Sequence, residues 1–384
     1  MTSVKKHGAF GDGIHDDTAA IQKALDSGEK EIHIPTGIYN ISDTLKVHSD
    51  TTVIADKTAK IVMKSTVRRK RNDFLLSNSD PVGGNKNITV IGGIWDGNNQ
   101  QDENAKPDLF DKTGYSGAVL NFVNIVGLTL RDIVVANSVT FYIRTSKLHN
   151  FTMEDISFVS DVRGKNQDGI HFGGDVKHGI VRNIRALSYG QTTDDMIALN
   201  ADDSIERVEN LDLVRDAIED ITFENIFAEC CLTVIRMLSV TAPIHNIRFK
   251  NIYGGFYGNA INADAARYCR TPLFKEEDYP NGVGAISDIA IENFTAVPKD
   301  YYTMGSTASP RAALRFETGM DNFRISGFRY IADEDTAKRC LALKARNLVG
   351  SMITVDGESH TLSKKDDTLT VDSFTELYMN KKDL

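Results

Sequence analysis

Apolar and polar residues alternate in short runs along most of the chain, and the runs recur. "NITVIGGIWDG" begins at Asn87, "GLTLRDIVV" at Gly127, "NFTMEDISF" at Asn150 and "GIVRNIRAL" at Gly179. The phrase returns as "DITFENIFA" from Asp220, "NIRFKNIYG" from Asn246, "DIAIENFTA" from Asp288 and "NFRISGFRY" from Asn322. Period-two alternation predicts strands with one buried face. Repetition every roughly 20–30 residues, with no helical period, predicts a solenoid, in which a coil covers its apolar face only by stacking on the next. Leucine-rich repeats need regular Leu and Asn positions that are absent here, and a sandwich does not repeat a phrase. The fold class expected is all-β: a single-stranded right-handed parallel β-helix of roughly nine to eleven coils, forming one domain over residues 1–384.

A solenoid has open ends that must be covered. "DDTAAIQKALDSG" predicts a short helical cap within about residues 1–45, with Asp17 or Thr18 as N-cap, Ile21 and Leu25 on one face, and Gly28 past its end. "MITVDGESHTL" predicts a hairpin turning at Asp356-Gly357 and capping the last coil, within about 350–384. Polar stretches near 64–87, 98–117, 200–218 and 264–286 interrupt the repeat. On a solenoid such insertions build the walls of a groove.

Composition narrows the partners. The chain is 41% hydrophobic and 25% charged, as in globular proteins, with a formal net charge of −9. That balance argues against nucleic acid. The run Arg68-Arg69-Lys70-Arg71 is the local exception, read as a solvated loop. No apolar run is long enough to span a membrane. "MTSVKKHGAFGDG" has no apolar h-region, which places the chain as written in the cytoplasm; a chain trimmed of a leader would be secreted or periplasmic. Cys230, Cys231, Cys269 and Cys340 form no CxxC pair, so packed thiols are expected rather than a zinc site.

The candidate chemistry lies in "NQDGIHFGGDVKHGIVRNIRALSYGQTTDDMIALN", from Asn166 to Asn200. Asp168 and Asp194 are 26 residues apart, about one coil. Stacked in register, Asp168 meets the Asp194-Asp195 pair, with Ile170, Phe172, Ile197 and Leu199 pointing inward. Crowded carboxylates raise one another's pKa, and a protonated acid beside ionised ones suits glycosidic cleavage. Alternation also turns His171, Arg236 and Arg144 outward beside the acids, as candidates to bind substrate or orient an acid. The acids of "ADD", Ala201–Asp203, read as solvated turn residues. Trp95 reads as core; Tyr142, Tyr189, Tyr257 and Tyr268 are the candidates for stacking on sugars.

"GAFGDGIHDDTAAIQKAL" with "IPTGIYNI" resembles the opening of the pectin-lyase-like superfamily of β-helix enzymes and phage tailspikes. "NQDGIHF" with "TTDDMIAL" resembles the central signature of glycoside hydrolase family 28, the polygalacturonases. That resemblance implies an inverting, metal-independent hydrolase with no cofactor and a carbohydrate substrate. It implies Asp194 as general acid, Asp168 and Asp195 as holders of the water, and Gln167, at the family's Thr position, as a substrate-binding residue. Two family motifs are replaced: Gly-His-Gly by "CCLTVIRML", and the galacturonate-binding Arg-Ile-Lys by "GNAINAD". A glycosidase of another specificity is therefore expected. Two rivals share the fold: a lyase using Arg236 as base with calcium on the aspartates, and a tailspike-like β-helix that binds glycan without cleaving it.

Overall fold

The computed structural model describes residues 1–64, 72–99, 110–267, 269–303, 306–308, 312–331, 341–343, 352–355, 358–365 and 368–371. The basic run Arg68–Arg71, Tyr268, Cys340 and the expected hairpin turn at Asp356-Gly357 lie outside these residues.

The chain winds as a right-handed parallel β-helix whose strands form three faces. Inward columns are continuous. On one face Ile32, Val53, Val90, Leu130, Met153 and Val181 stack rung on rung, and the column runs on through Phe223, Phe249, Ile291 and Ile325. All ten are essentially inaccessible, and they share one apolar core with inward residues of the other two faces. Burying a Val, Leu, Ile or Phe side chain contributes about 1.5–3 kcal/mol, so the stack, not any one coil, carries the stability. Trp95 joins this core and donates its indole N–H to the Gly92 carbonyl at 3.1 Å.

Corners are set by residues that tolerate left-handed backbone. Asn183, Asn225, Asn251 and Asn293 all have φ between 56° and 58°. Their amides form a ladder: each donates to the residue one coil earlier, Asn225 to Asn183 at 2.9 Å, Asn251 to Asn225 at 3.1 Å and Asn293 to Asn251 at 3.2 Å. Asn is among the few non-glycine residues that adopt this conformation at low cost, and stacking lets its amide partner itself. This is the physical content of the recurring "N" in the repeat.

At the N-terminus the helix Thr18–Leu25 buries Ile21 and Leu25, as the pattern predicts. The cap differs in detail. Asp17 stands at the N-cap, but its carboxylate accepts from the Phe10 and Gly11 amides, while Asp16 accepts from the Thr18 amide. The helix closes at Asp26, ahead of Gly28. At the other end, Met352–Val355 pairs antiparallel with Glu358–Lys365.

Candidate active site

One outward column runs along a single face: Lys46, Ser77, Asn121, Arg144, His171, Ala198, Arg236, Asn262 and Arg315. His171 and Arg236 thus stand on either side of Ala198. Asp168 and Asp195 lie at the entries of the strands Ile170–Phe172 and Asp195–Asn200. Ile170 pairs with Ile197, so Asp168 lies level with Asp195, and Asp168 Oδ1 accepts from the Asp195 amide at 3.1 Å. Gly169 permits this stacking: a Cβ there would lie 2.5 Å from the Met196 carbonyl oxygen.

Asp168, Asp194 and Asp195 come together as the register predicts, one oxygen of each within 4.8 Å of the others. Asp168 and Asp195 are buried and Asp194 is half-buried. Asp194 and Asp195 open onto a cleft of about 330 Å³, also lined by Arg207, Arg236, Asn262, Asp264 and Arg315. Asp168 stands behind the pair. Its second oxygen, Oδ2, is 2.6 Å from His171 Nδ1, so both oxygens are engaged.

Burial shifts the acids upward. Burial first, then the charge of Asp168, raises Asp194 to about 7, against the pull of Arg236, Arg207 and His171. Burial and the Asp194 charge raise Asp195 to about 7, with Arg236 and Thr233 opposing. Burial raises Asp168 to about 6, with the His171 hydrogen bond opposing and Asp195 adding. All three are shifted upward, Asp168 and Asp195 chiefly because they are buried. The spacing is also closer than expected. Inverting pairs are about 6.5–9.5 Å apart to hold a water between them, whereas here the nearest oxygens lie within 4.8 Å.

Three carboxylate oxygens so close could face a cation. The ring of His171 already occupies that role for Asp168, raised to about 9: burial lowers it, but the charge of Asp203 and hydrogen bonds to Asp168 and Asp203 outweigh burial. Of the three acids, it is Asp168 that has the imidazole as partner.

The other residues expected at the site divide. Arg236 spans it, with NH1 at 3.5 Å from Asp195 and NH2 at 3.1 Å from Asp264. His171 is buried; its two nitrogens meet Asp168 and Asp203, and its ring stacks on Phe141 at 4.0 Å, so the ring is not presented to the cleft. Two assignments are corrected. Gln167 is fully buried, donating to the Ser138 carbonyl and accepting from the Gly164 amide and Thr193 hydroxyl, a brace between coils. Arg144 is buried and donates to Asn121 and to the Glu209 and Leu211 carbonyls, which moors the insertion to the coil. Among the tyrosines, Tyr142 is core, and Tyr257 is buried with its hydroxyl on the Thr193 carbonyl. Tyr189 remains half-exposed.

The "ADD" acids are not solvated. Asp202 is buried and accepts from three successive amides, Val240 to Ala242. Asp203 is buried and accepts from His171 and from Asn210 at 2.6 Å. Arg207, Asp264 and Arg315 were not anticipated either. Arg207 lies in a non-periodic insertion, and Asp264 and Arg315 reach the cleft from later coils.

Sequence and structure comparisons agree with this architecture. The family profile described as rhamnogalacturonase A/epimerase, pectate lyase-like, matches residues 1–257. The pre-neck appendage protein of Bacillus phage phi29 is 34% identical over 99 residues, 26% of this chain but only 12% of that protein's length. The N-terminal fragment of bacteriophage phi29 gene product 12 superposes with a TM-score of 0.66 at 17% identity, covering 92% of this chain and 59% of that one. A Yersinia enterocolitica family 28 exopolygalacturonase gives 0.55 at 14% identity, covering 93% and 78%. The tailspike of E. coli bacteriophage HK620, solved in complex with a pentasaccharide, gives 0.65 at 12% identity, covering 92% and 61%. At these identities the superpositions establish the fold alone. With a profile match across about two thirds of its length, the chain belongs to the rhamnogalacturonase A/epimerase, pectate lyase-like family.

Proposed function

We propose that this protein is a glycoside hydrolase of the family 28 kind, cleaving a poly- or oligosaccharide by paired carboxyl groups without a metal. The observation that supports it most is the pair Asp194 and Asp195 on a cleft of about 330 Å³, backed by Asp168. Asp194, facing the charge of Asp168, holds the proton and delivers it to the leaving glycosidic oxygen. Asp195, nearer Arg236 and Thr233, is the ionised partner once Asp194 is protonated, and it takes a proton from water on the cleft side. Arg236 and Arg207 stabilise the negative charge of the ionised form.

The test is hydrolysis of a glycan library read by mass spectrometry, comparing wild type with Asp194→Asn. New reducing ends from wild type alone support the reading; equal release by both sinks it. The product anomer, read by NMR, then separates a single displacement (inversion) from attack by Asp195 itself (retention).

A second reading follows from the similarity to phage appendage and tailspike proteins: a glycan-binding segment of a larger assembly that does not cleave. Binding of a glycan from the same library, with no release by wild type, would favour it.

A further inference from the structure

The insertion at 201–217 sends Asp203 back onto the coil that carries Asp168. His171 lies between them, with Nδ1 at 2.6 Å from Asp168 and Nε2 at 2.7 Å from Asp203, all three side chains buried. Asn210 Nδ2 donates to the other Asp203 oxygen at 2.6 Å. Phe141 covers one face of the imidazole at a centroid distance of 4.0 Å. The neighbouring rungs place Arg144 and Ala198 on either side of the histidine. Arg144 is the charged neighbour on that column; its guanidinium donates to Asn121 and to the Glu209 and Leu211 carbonyls of the same insertion. Glu209 is the next buried carboxyl, held by Asn166 at 2.9 Å with Arg207 at 4.0 Å.

We infer that Asp203 is a positioning residue: through His171 it holds Asp168 ionised behind Asp194 near neutral pH, and the insertion moored by Arg144 is what installs it. This rests on the hydrolase reading for its use, though not for its test. The chemistry is a buried acid–imidazolium–acid bridge. One imidazolium cannot neutralise two carboxylates, so the bridge keeps net negative charge. Asp168, with both oxygens occupied, is then poorly placed to hold water. What remains is its field, which lies within 4.8 Å of the Asp194 oxygen and opposes ionisation there. Without Asp203, a buried imidazole would more readily lose its proton, Asp168 would take one up, and Asp194 would ionise at lower pH. The proton would sit on the wrong acid.

Titration by NMR decides this without any substrate. Histidine side-chain and aspartate carboxyl signals, assigned by substitution, are followed with pH in wild type and in Asp203→Asn. The expected result is a fall in the His171 midpoint toward the ordinary imidazole range, a rise for Asp168 and a fall for Asp194. Unmoved His171 and Asp194 midpoints in a folded Asp203→Asn protein overturn the inference. Should that variant not fold, Asn210→Ala, which removes only the outer hydrogen bond, replaces it; a smaller shift in the same direction is expected, and no shift overturns. A chain that shows the coupled titration but releases no sugar keeps this inference and loses the hydrolase reading. A chain that hydrolyses glycan with unmoved midpoints does the reverse.

Discussion

At the scale of the residue, Asp194 is both the chemistry and a cost. Its burial and its position against Asp168 raise it to about 7, so near neutral pH the folded state holds a proton that the unfolded chain has released. Asp194→Asn removes that penalty and also removes the proton donor. The expected outcome is a turnover loss of about 10²–10⁴-fold, the usual contribution of general acid catalysis, together with a higher melting temperature at pH 8. At pH 3 the two proteins should melt alike, since Asp194 is then protonated in the fold and largely so in the unfolded chain. A variant less stable than wild type at pH 8 would show that the carboxylate makes favourable contacts instead. The three acids were legible in the sequence because each begins a strand and their spacing matches the coil. Asp203 was not: it sits in a polar insertion without periodicity, where a buried acid and a solvated turn acid look alike.

Among the elements, corners and insertions do different work. The corner ladder was written in the repeat itself. Asn225 combines φ of 56° with one amide bond to Asn183 and another from Asn251. Asn225→Ala should destabilise by about 2 kcal/mol, from left-handed backbone strain and lost hydrogen bonds. Asn225→Gly should recover the backbone part and not the bonds, a difference readable in urea unfolding midpoints. Equal midpoints for both variants would remove strain from the account.

The insertions were legible only as insertions. Arg207 arrives in the cleft from one, and Arg236 and Arg315 from the coils beyond the acids. The sequence lacks the Arg-Ile-Lys of polygalacturonases, yet the cleft is rich in arginine. Those charges are already engaged by protein groups: Arg236 with Asp264 at 3.1 Å, Arg315 with Glu317 at 3.0 Å, and Arg207 with Asn166 at 2.8 Å. At Arg236 and Arg315 a uronate carboxylate would have to displace a carboxylate that is already there, and at Arg207 an amide oxygen. Polygalacturonate should therefore be a poor substrate, with reducing-sugar release near background. Rapid release would mean that the Arg236–Asp264 pair opens for substrate.

For the whole molecule, four carboxyls in and behind the cleft shift in one direction. Burial raises Asp168 to about 6 and Asp194, Asp195 and Glu209 to about 7. Between the ordinary carboxylate range and those values, the native state binds protons that the unfolded state has lost, so stability falls as pH rises. His171, raised to about 9, adds stability that is complete below the ordinary imidazole value and is lost as pH climbs through 9. The opposite limit comes from partnered surface carboxylates such as Asp56, lowered by its His33 hydrogen bond, and Asp175, lowered by hydrogen bonds to His149 and Lys177 despite burial. Their contribution is present above the ordinary Asp value and disappears as pH falls through their depressed values. The two sets bracket a maximum on the acid side of neutrality, near pH 4–5. Melting temperature measured from pH 3 to 10 should peak there and decline continuously to pH 9, with Asp194→Asn showing a shallower decline between pH 5 and 8. A melting temperature that rises from pH 5 to 8 would mean that the three acids are solvated enough to ionise together, and the arrangement of protons proposed for the cleft would fall with it.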